Sequence, residues 1–278
     1  MNPTLITDAQ NTWCPGCGNF SIQHQAKQVI LESGIPRETI VLVAGIGCHG
    51  KIVDYLDLNS FYAIHGRAIP AATGIAIARP DLKVICFAGD GDAYGEGLDH
   101  LLFAAKRNVD MTVIIHDNRV YGLTTGQYTP TSPPGYKGRS TPQGNVERPL
   151  NPLELVLASG GTFLARAYTR NLANLHQTIG AAIRHRGFSF VDVLQICATF
   201  YDIHDYYDAR VYELTDHDPG SYDAALGKIR EWDYAKDAPI ALGTFYTRQE
   251  PTFAERLPQR ETVVDRMERI QKRLAEGV

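Results

Sequence analysis

The chain has 278 residues, 44% of them hydrophobic, and a formal charge of −4. This suits one large α/β domain with a tail, and it offers no basic surface for nucleic acid. No apolar run reaches the roughly 18 residues of a membrane span, and residues 1–11 lack a basic-then-apolar leader, so the expectation is a cytoplasmic protein with no membrane or nucleic-acid partner.

Taken in chain order, residues 14–17 read Cys-Pro-Gly-Cys, a C-x-x-C with turn residues inside it. Residues 20–33 place Ile22, Ala26, Val29 and Ile30 on one face and stop at Gly34, which predicts a helix with a glycine cap. The run 40–44 is short, apolar and rich in β-branched residues, and 83–88, 111–116 and 188–195 repeat the pattern. Continuous apolar runs of this length predict strands buried on both faces, as in a parallel sheet. Helices are predicted at 97–107 and after an Asn171 N-cap, the latter ending at Gly187. Strands alternating with helices give an α/β, doubly wound, mostly parallel sheet. Residues 122–152 hold six prolines and several glycines and predict a long ordered loop or lid. The tail offers a helix at 221–232, a strand at 239–246 and a charged helix at 261–276. The expected organisation is a main domain over 1–200 and a C-terminal extension over 201–278, packed on that domain or on a partner.

Gly-Asp-Gly-Asp at 89–92 follows one predicted strand, and Asn118 follows the next, 28 residues beyond Asp90. Asp90 and Asn118 should therefore emerge side by side at strand ends. Two side-chain oxygens there make a site for a hard divalent ion such as Mg²⁺. The glycines let backbone N–H groups approach phosphate, and a helix starting near Gly97 should turn its positive end toward it.

The five cysteines are odd in number in a long chain, which argues against a secreted disulfide framework. Cys14 and Cys17 lie in an N-terminal loop. Cys48 follows the strand 40–44 within Gly-Ile-Gly-Cys-His-Gly, and Cys197 follows the strand 188–195. Four such thiolates suit a 4Fe–4S cluster or a structural zinc. Cys86 lies inside an apolar strand and reads as a buried small hydrophobe. His116 ends a strand and reads as structural. The loop 45–50 carries both a glycine cradle and the Cys48 thiol, so a metal cluster would stand beside a cofactor.

Trp-Cys-Pro-Gly-Cys-Gly, Gly-Ile-Gly-Cys-x-Gly-Lys, His-Gly-Arg-Ala-Ile-Pro-x-Ala-x-Gly, Gly-Asp-Gly-Asp and Asp-Asn-x-x-Tyr-Gly-Leu-Thr-x-Gly-Gln occur here in that order. From Trp13 to Cys197 the chain resembles β subunits of 2-oxoacid:ferredoxin oxidoreductases. The resemblance implies a thiamine-diphosphate-binding fold of the diphosphate-domain type. It implies Mg²⁺ on Asp90, Asn118 and the Val120 carbonyl. Thiamine diphosphate would be met by the backbone of Gly91, Asp92, Gly122 and Leu123 and by Ile46, Gly47, Cys48, His49 and His65, with His49 contributing mostly backbone. A 4Fe–4S cluster would sit on Cys14, Cys17, Cys48 and Cys197. Lys51 matches a family lysine near the substrate carboxylate.

The implied activity is coenzyme A-dependent oxidative decarboxylation of a 2-oxoacid, with electrons passed to ferredoxin. No Glu stands in a recognisable context for activating the aminopyrimidine ring. The resemblance assigns that residue to an α subunit, which implies a heterodimer or a dimer of heterodimers. Tyr121 to Gln127 look like members acting on 2-oxoglutarate or a broad range of 2-oxoacids, although Thr125 stands where some of these carry lysine. Two other readings remain open on the residues alone. A non-oxidative thiamine diphosphate enzyme subunit has no use for the four cysteines, and a zinc-binding assembly subunit has none for Asp90 and Asn118.

Overall fold

The computed structural model describes residues 4–258 and 266–276. Ten strands are present among them: β1 (Ile40–Ala44), β2 (Asn59–Tyr62), β3 (Lys83–Gly89), β4 (Met111–Asp117), β5 (Val120–Tyr121), β6 (Gln127–Tyr128), β7 (Phe163–Tyr168), β8 (Phe188–Leu194), β9 (Val211–Glu213) and β10 (Ile240–Thr247). Eight of them form one sheet in the order β2-β1-β3-β4-β8-β7-β10-β9, and β5 and β6 make a small hairpin beside it. All pairs in the large sheet are parallel except β10 with β7.

The four strands expected from apolar runs are present, β3 and β4 running one residue further than predicted and β8 stopping one earlier. They are buried on both faces because helices cover both. Ala68–Ala78, Leu98–Arg107, Pro152–Ala158 and Tyr222–Glu231 pack on the face shown by Val43, Cys86 and Val113. Asn19–Glu32 and Leu172–Arg184 pack on the face shown by Leu42, Phe87 and Ile114. Period-two alternation along each strand thus feeds two cores. Asn171 caps its helix as expected, its Oδ1 accepting from Asn174 N at 3.1 Å, and that helix ends at Arg184, before Gly187.

Four elements carry no clear sequence signal. β2 is an exposed edge strand with no buried face to set a pattern. Ala68–Ala78 is built of small residues that give little amphipathic contrast. Pro152–Ala158 is only seven residues long, opened by an Asn151 cap. β7 contains Arg166, fully buried, which breaks the apolar run that marks the other strands. Its guanidinium lies over the Trp232, Tyr234 and Phe245 rings and 3.6 Å from Asp192 Oδ2.

The tail does not stand apart from the sheet. β10 pairs with β7 and β9 with β10, so residues beyond 201 supply the last two strands of the sheet, β9 forming its edge. Of the charged helix expected at 261–276, Arg266–Ala275 is helical, and residues 259–265 lie outside the described residues. The 122–152 segment is ordered by internal bonds such as Gly135 N to Asn145 O at 2.7 Å and Thr129 N to Ser132 Oγ at 2.8 Å. Among the described residues no helix is long and apolar enough to cross a membrane.

Candidate active site

Strands β1, β3, β4 and β8 are neighbours, and each delivers its following loop to the same sheet edge. In order these loops carry Gly45–Cys48, Asp90, Asn118 and Cys197. Ligand sites in open parallel sheets form at such carboxyl ends. Here Ile46, Gly47, Cys48, His49, His65, Gly91, Asp92, Gly122 and Leu123 line a single pocket together with Asp90, Asn118 and Val120.

Asp90 is 2% exposed, and its Oδ2 accepts from the Thr131 hydroxyl at 3.0 Å. The same hydroxyl lies 2.8 Å from Asp117 Oδ1, so one proton serves two buried carboxylates. Burial pushes the Asp90 carboxyl up to about 6, against the hydrogen bonds from Thr129 and Thr131. No lysine, arginine or histidine pairs with Asp90 among the described residues. A buried carboxylate without a counter-charge is costly, and a divalent cation removes that cost. Asn118 Oδ1 accepts from Val120 N at 3.0 Å, which folds the turn so that Asn118 and Val120 both face the pocket. These residues therefore fit a hard cation.

The helix expected to open near Gly97 is preceded by a π-helical turn, Gly91–Glu96, that starts directly after Asp90. The N–H groups nearest the pocket belong to this turn, and Gly97 packs instead against the Gly66 carbonyl. A Cβ on Gly91 would overlap the Tyr121 ring, whose hydroxyl donates to Gly91 O at 3.1 Å. Close backbone approach is thus built in on the side the diphosphate would meet.

Asp92 braces the cradle from beneath with its side chain. It is 2% exposed, and its Oδ1 accepts from Gly66 N at 2.6 Å. His65 Nδ1 and His49 Nε2 lie 3.4 and 3.5 Å from its two oxygens, near enough for attraction but without hydrogen-bond geometry. Both ring nitrogens are buried without a hydrogen-bond partner. The His49 ring is itself buried, wedged against Gly47 and Gly89. The side chain therefore shapes the loop whose backbone is expected to meet the cofactor. His116 is structural as expected: Nδ1 meets Asn19 Oδ1 at 2.8 Å, and burial holds its basicity well below the usual range.

The thiols converge beside this pocket. Cys197 Sγ and Cys48 Sγ stand 3.4 and 3.8 Å from the point a Cβ on Gly122 would occupy. Gln195 Nε2 donates to Cys17 Sγ at 3.4 Å. Gly18 N bonds Ile196 O at 3.0 Å, tying the C-x-x-C loop to the segment after β8. Trp13 Nε1 donates to the Cys48 carbonyl at 2.6 Å, joining the first and second cysteine loops. Burial pushes the Cys17 thiol up to about 12, and Cys48, Cys197 and Cys14 all push it the same way. Thiols crowded like this hold their protons until a metal replaces them. Among the described residues no three His, Cys, Asp or Glu form a group for a single ion. Cys86 is fully buried in β3, away from this set. Replacing Cys197 with serine should therefore abolish any visible metal-centre absorption of the anaerobically purified protein, and Cys86→Ser should leave it unchanged. Equal losses from both would mean that the sulfur ligands are a different set.

Lys51 is not in the pocket. Its Nζ donates to Thr12 Oγ1 at 3.0 Å, on the side of the Cys48 thiol. Thr131, Tyr121 and the Asp92 side chain contribute to the site but escape sequence reasoning. Thr131 lies in the proline-rich loop with no local motif, and the roles of Tyr121 and Asp92 depend on what packs beneath two glycines.

Residues 45–193 match the family model "Thiamine pyrophosphate enzyme, C-terminal TPP binding domain", and residues 197–262 match the C-terminal model of the pyruvate ferredoxin oxidoreductase beta subunit. The chain is 43% identical to the 2-oxoacid:ferredoxin oxidoreductase subunit beta of Saccharolobus solfataricus over 90% of its own length and 86% of the relative's. It is 43% identical to the 2-oxoglutarate oxidoreductase subunit KorB of Mycobacterium tuberculosis over 71% of its length and 53% of that protein's. A solved 2-oxoglutarate:ferredoxin oxidoreductase from Magnetococcus marinus, holding 2-oxoglutarate, coenzyme A and succinyl-CoA, superposes with a TM-score of 0.87 at 34% identity, covering 99% of this chain and 91% of that one. With a diphosphate-type fold, a pocket at its strand ends and relatives that match along most of their length, the chain belongs to the β subunits of the 2-oxoacid:ferredoxin oxidoreductases.

Proposed function

We propose that this subunit binds thiamine diphosphate with Mg²⁺ and a 4Fe–4S cluster, and that with an α subunit it oxidises a 2-oxoacid. The overall reaction converts 2-oxoacid and coenzyme A to acyl-CoA and CO₂. A cluster held by Cys14, Cys17, Cys48 and Cys197 would supply one-electron transfer toward ferredoxin. The observation that carries this reading is the loop Gly45–Cys48, which lines the cofactor pocket and presents a thiol to the cysteine set. Adjacency of this kind serves electron transfer and gives a structural zinc no advantage.

Bound thiamine diphosphate supplies the carbanion that attacks the keto carbon. This chain's residues hold and orient. Asp90, Asn118 and the Val120 carbonyl would hold Mg²⁺, and the N–H groups at Gly91 and Asp92 would meet the diphosphate. Asp92 fixes the separation of the 45–50 and 65–66 loops, and so the width of the cradle. Lys51, which donates to Thr12 from beside the Cys48 loop, would turn from that exposed bond to meet the substrate carboxylate. The 2-oxoglutarate bound by the Magnetococcus marinus protein makes 2-oxoglutarate the first substrate to try, with pyruvate as the second.

The test is reconstitution. The purified chain alone should turn over neither acid, because among the described residues no glutamate lines the cofactor pocket to serve the aminopyrimidine ring. Adding the α subunit should give 2-oxoacid- and coenzyme A-dependent ferredoxin reduction. Robust oxidation by the chain alone would refute the heteromeric reading.

A further inference from the structure

Behind the Asn118–Val120 turn lies a second opening that the cofactor site does not use. Arg119 has φ +63, a left-handed conformation that turns its side chain out of the cofactor pocket. It is 2% exposed. Its Nε donates to Thr131 O at 2.7 Å and its Nη2 to Tyr234 O. The third nitrogen, Nη1, has no hydrogen bond among the described residues, and no carboxylate forms an ion pair with the guanidinium. Arg166, equally buried, faces Asp192. Arg119 instead lines a cavity of about 220 Å³ walled by Tyr201, Tyr206 and Tyr234, with Ala235 and Lys236 at its rim. Asp237, also at the rim, is already paired with Arg210 at 2.5 Å.

Asp117, whose Oδ1 accepts from Arg119 N at 3.2 Å, attracts the guanidinium without forming an ion pair, so the buried cation is only partly compensated. The Trp232 and Tyr234 rings, each 5.7 Å from the guanidinium carbon, offset part of the remaining cost. The Tyr201 hydroxyl has no hydrogen bond among the described residues either, and Tyr201 lines the same space. Two donors, one of them charged and pinned, line one space with no acceptor assigned to them. We propose that this cavity binds a small oxyanion, a carboxylate or a phosphate group, on Arg119 Nη1 and the Tyr201 hydroxyl. The Nε and Nη2 bonds pin the guanidinium, so the site is preorganised.

Calorimetric titration of the assembled α/β complex with inorganic phosphate, and separately with succinate, tests this. One saturable site per chain is expected, with a dissociation constant near a millimolar or tighter, and the tighter of the two probes identifies the source of the oxyanion. Ala235 is exposed at the rim, so Ala235→Glu should fold normally and set its own carboxylate against the ligand. That variant should weaken binding at least tenfold, while Ala235→Gln retains it and Tyr201→Phe weakens it several-fold. Absence of saturable binding, or equal binding by wild type and Ala235→Glu, would overturn the proposal. Thiamine diphosphate affinity, measured in the same variants, should be unchanged, which separates failure of this site from failure of the cofactor site.

Discussion

Replacing Asp90 with asparagine should abolish Mg²⁺-dependent binding of thiamine diphosphate by the assembled enzyme and leave its visible absorption in place. Asn keeps the volume and the Thr131 contact but removes the charge that would hold the cation. Losing one partner of a buried charge pair costs about 3–5 kcal/mol, or roughly two to three and a half powers of ten in affinity. Stability of the cofactor-free protein should move the other way. Its buried carboxylate already pulls away from the ionised form, so neutral Asn relieves a cost. Calorimetry with and without Mg²⁺ gives the affinity, and thermal unfolding gives the stability. Unchanged affinity would remove Asp90 from the metal site. Lost affinity with a large fall in melting temperature would mean that Asp90 is structural.

Gly45→Ala should be nearly as damaging, for a steric reason. A Cβ at Gly45 would stand 2.6 Å from Asp92 Cγ and closer still to Oδ2. Asp92 cannot retreat without breaking its 2.6 Å bond to Gly66 N. The loop carrying Ile46 to His49 must shift instead, and with it both the pocket wall and the Cys48 thiol. Cofactor affinity should fall about a hundredfold or more, and the visible absorption should become labile in air. Gly74→Ala is the control. Gly74 lies in the Ala68–Ala78 helix with open space around its Cβ position, and Gly→Ala in a helix stabilises by up to about 1 kcal/mol. Identical behaviour of the two variants would show that the Gly45–Asp92 contact does not set the loop.

The parallel sheet and the strand-end site were legible because burial on both faces leaves unbroken apolar runs in β1, β3, β4 and β8. Glycines, aspartate and cysteine placed just after those runs pointed to the edge where ligands gather. β7 stayed hidden because Arg166 satisfies its charge within the tertiary structure, on Asp192 and aromatic rings that arrive from the tail. The Asp92 brace stayed hidden for a related reason. Its partners, Gly45, His49, His65 and Gly66, are 26 to 47 residues away in sequence, and only the fold brings them together. The tail's place in the main sheet rests on an antiparallel pairing of β10 with β7 that neither strand encodes locally.

The most direct test is an anaerobic optical titration of the assembled complex, loaded with thiamine diphosphate and Mg²⁺, with 2-oxoglutarate and no ferredoxin. The expected result is a brown protein whose broad visible band bleaches as substrate is added, with Cys197→Ser colourless from the start and Asp90→Asn coloured but unbleached. A colourless wild type, or a band that substrate leaves untouched, would contradict a cluster fed by the adjoining cofactor pocket.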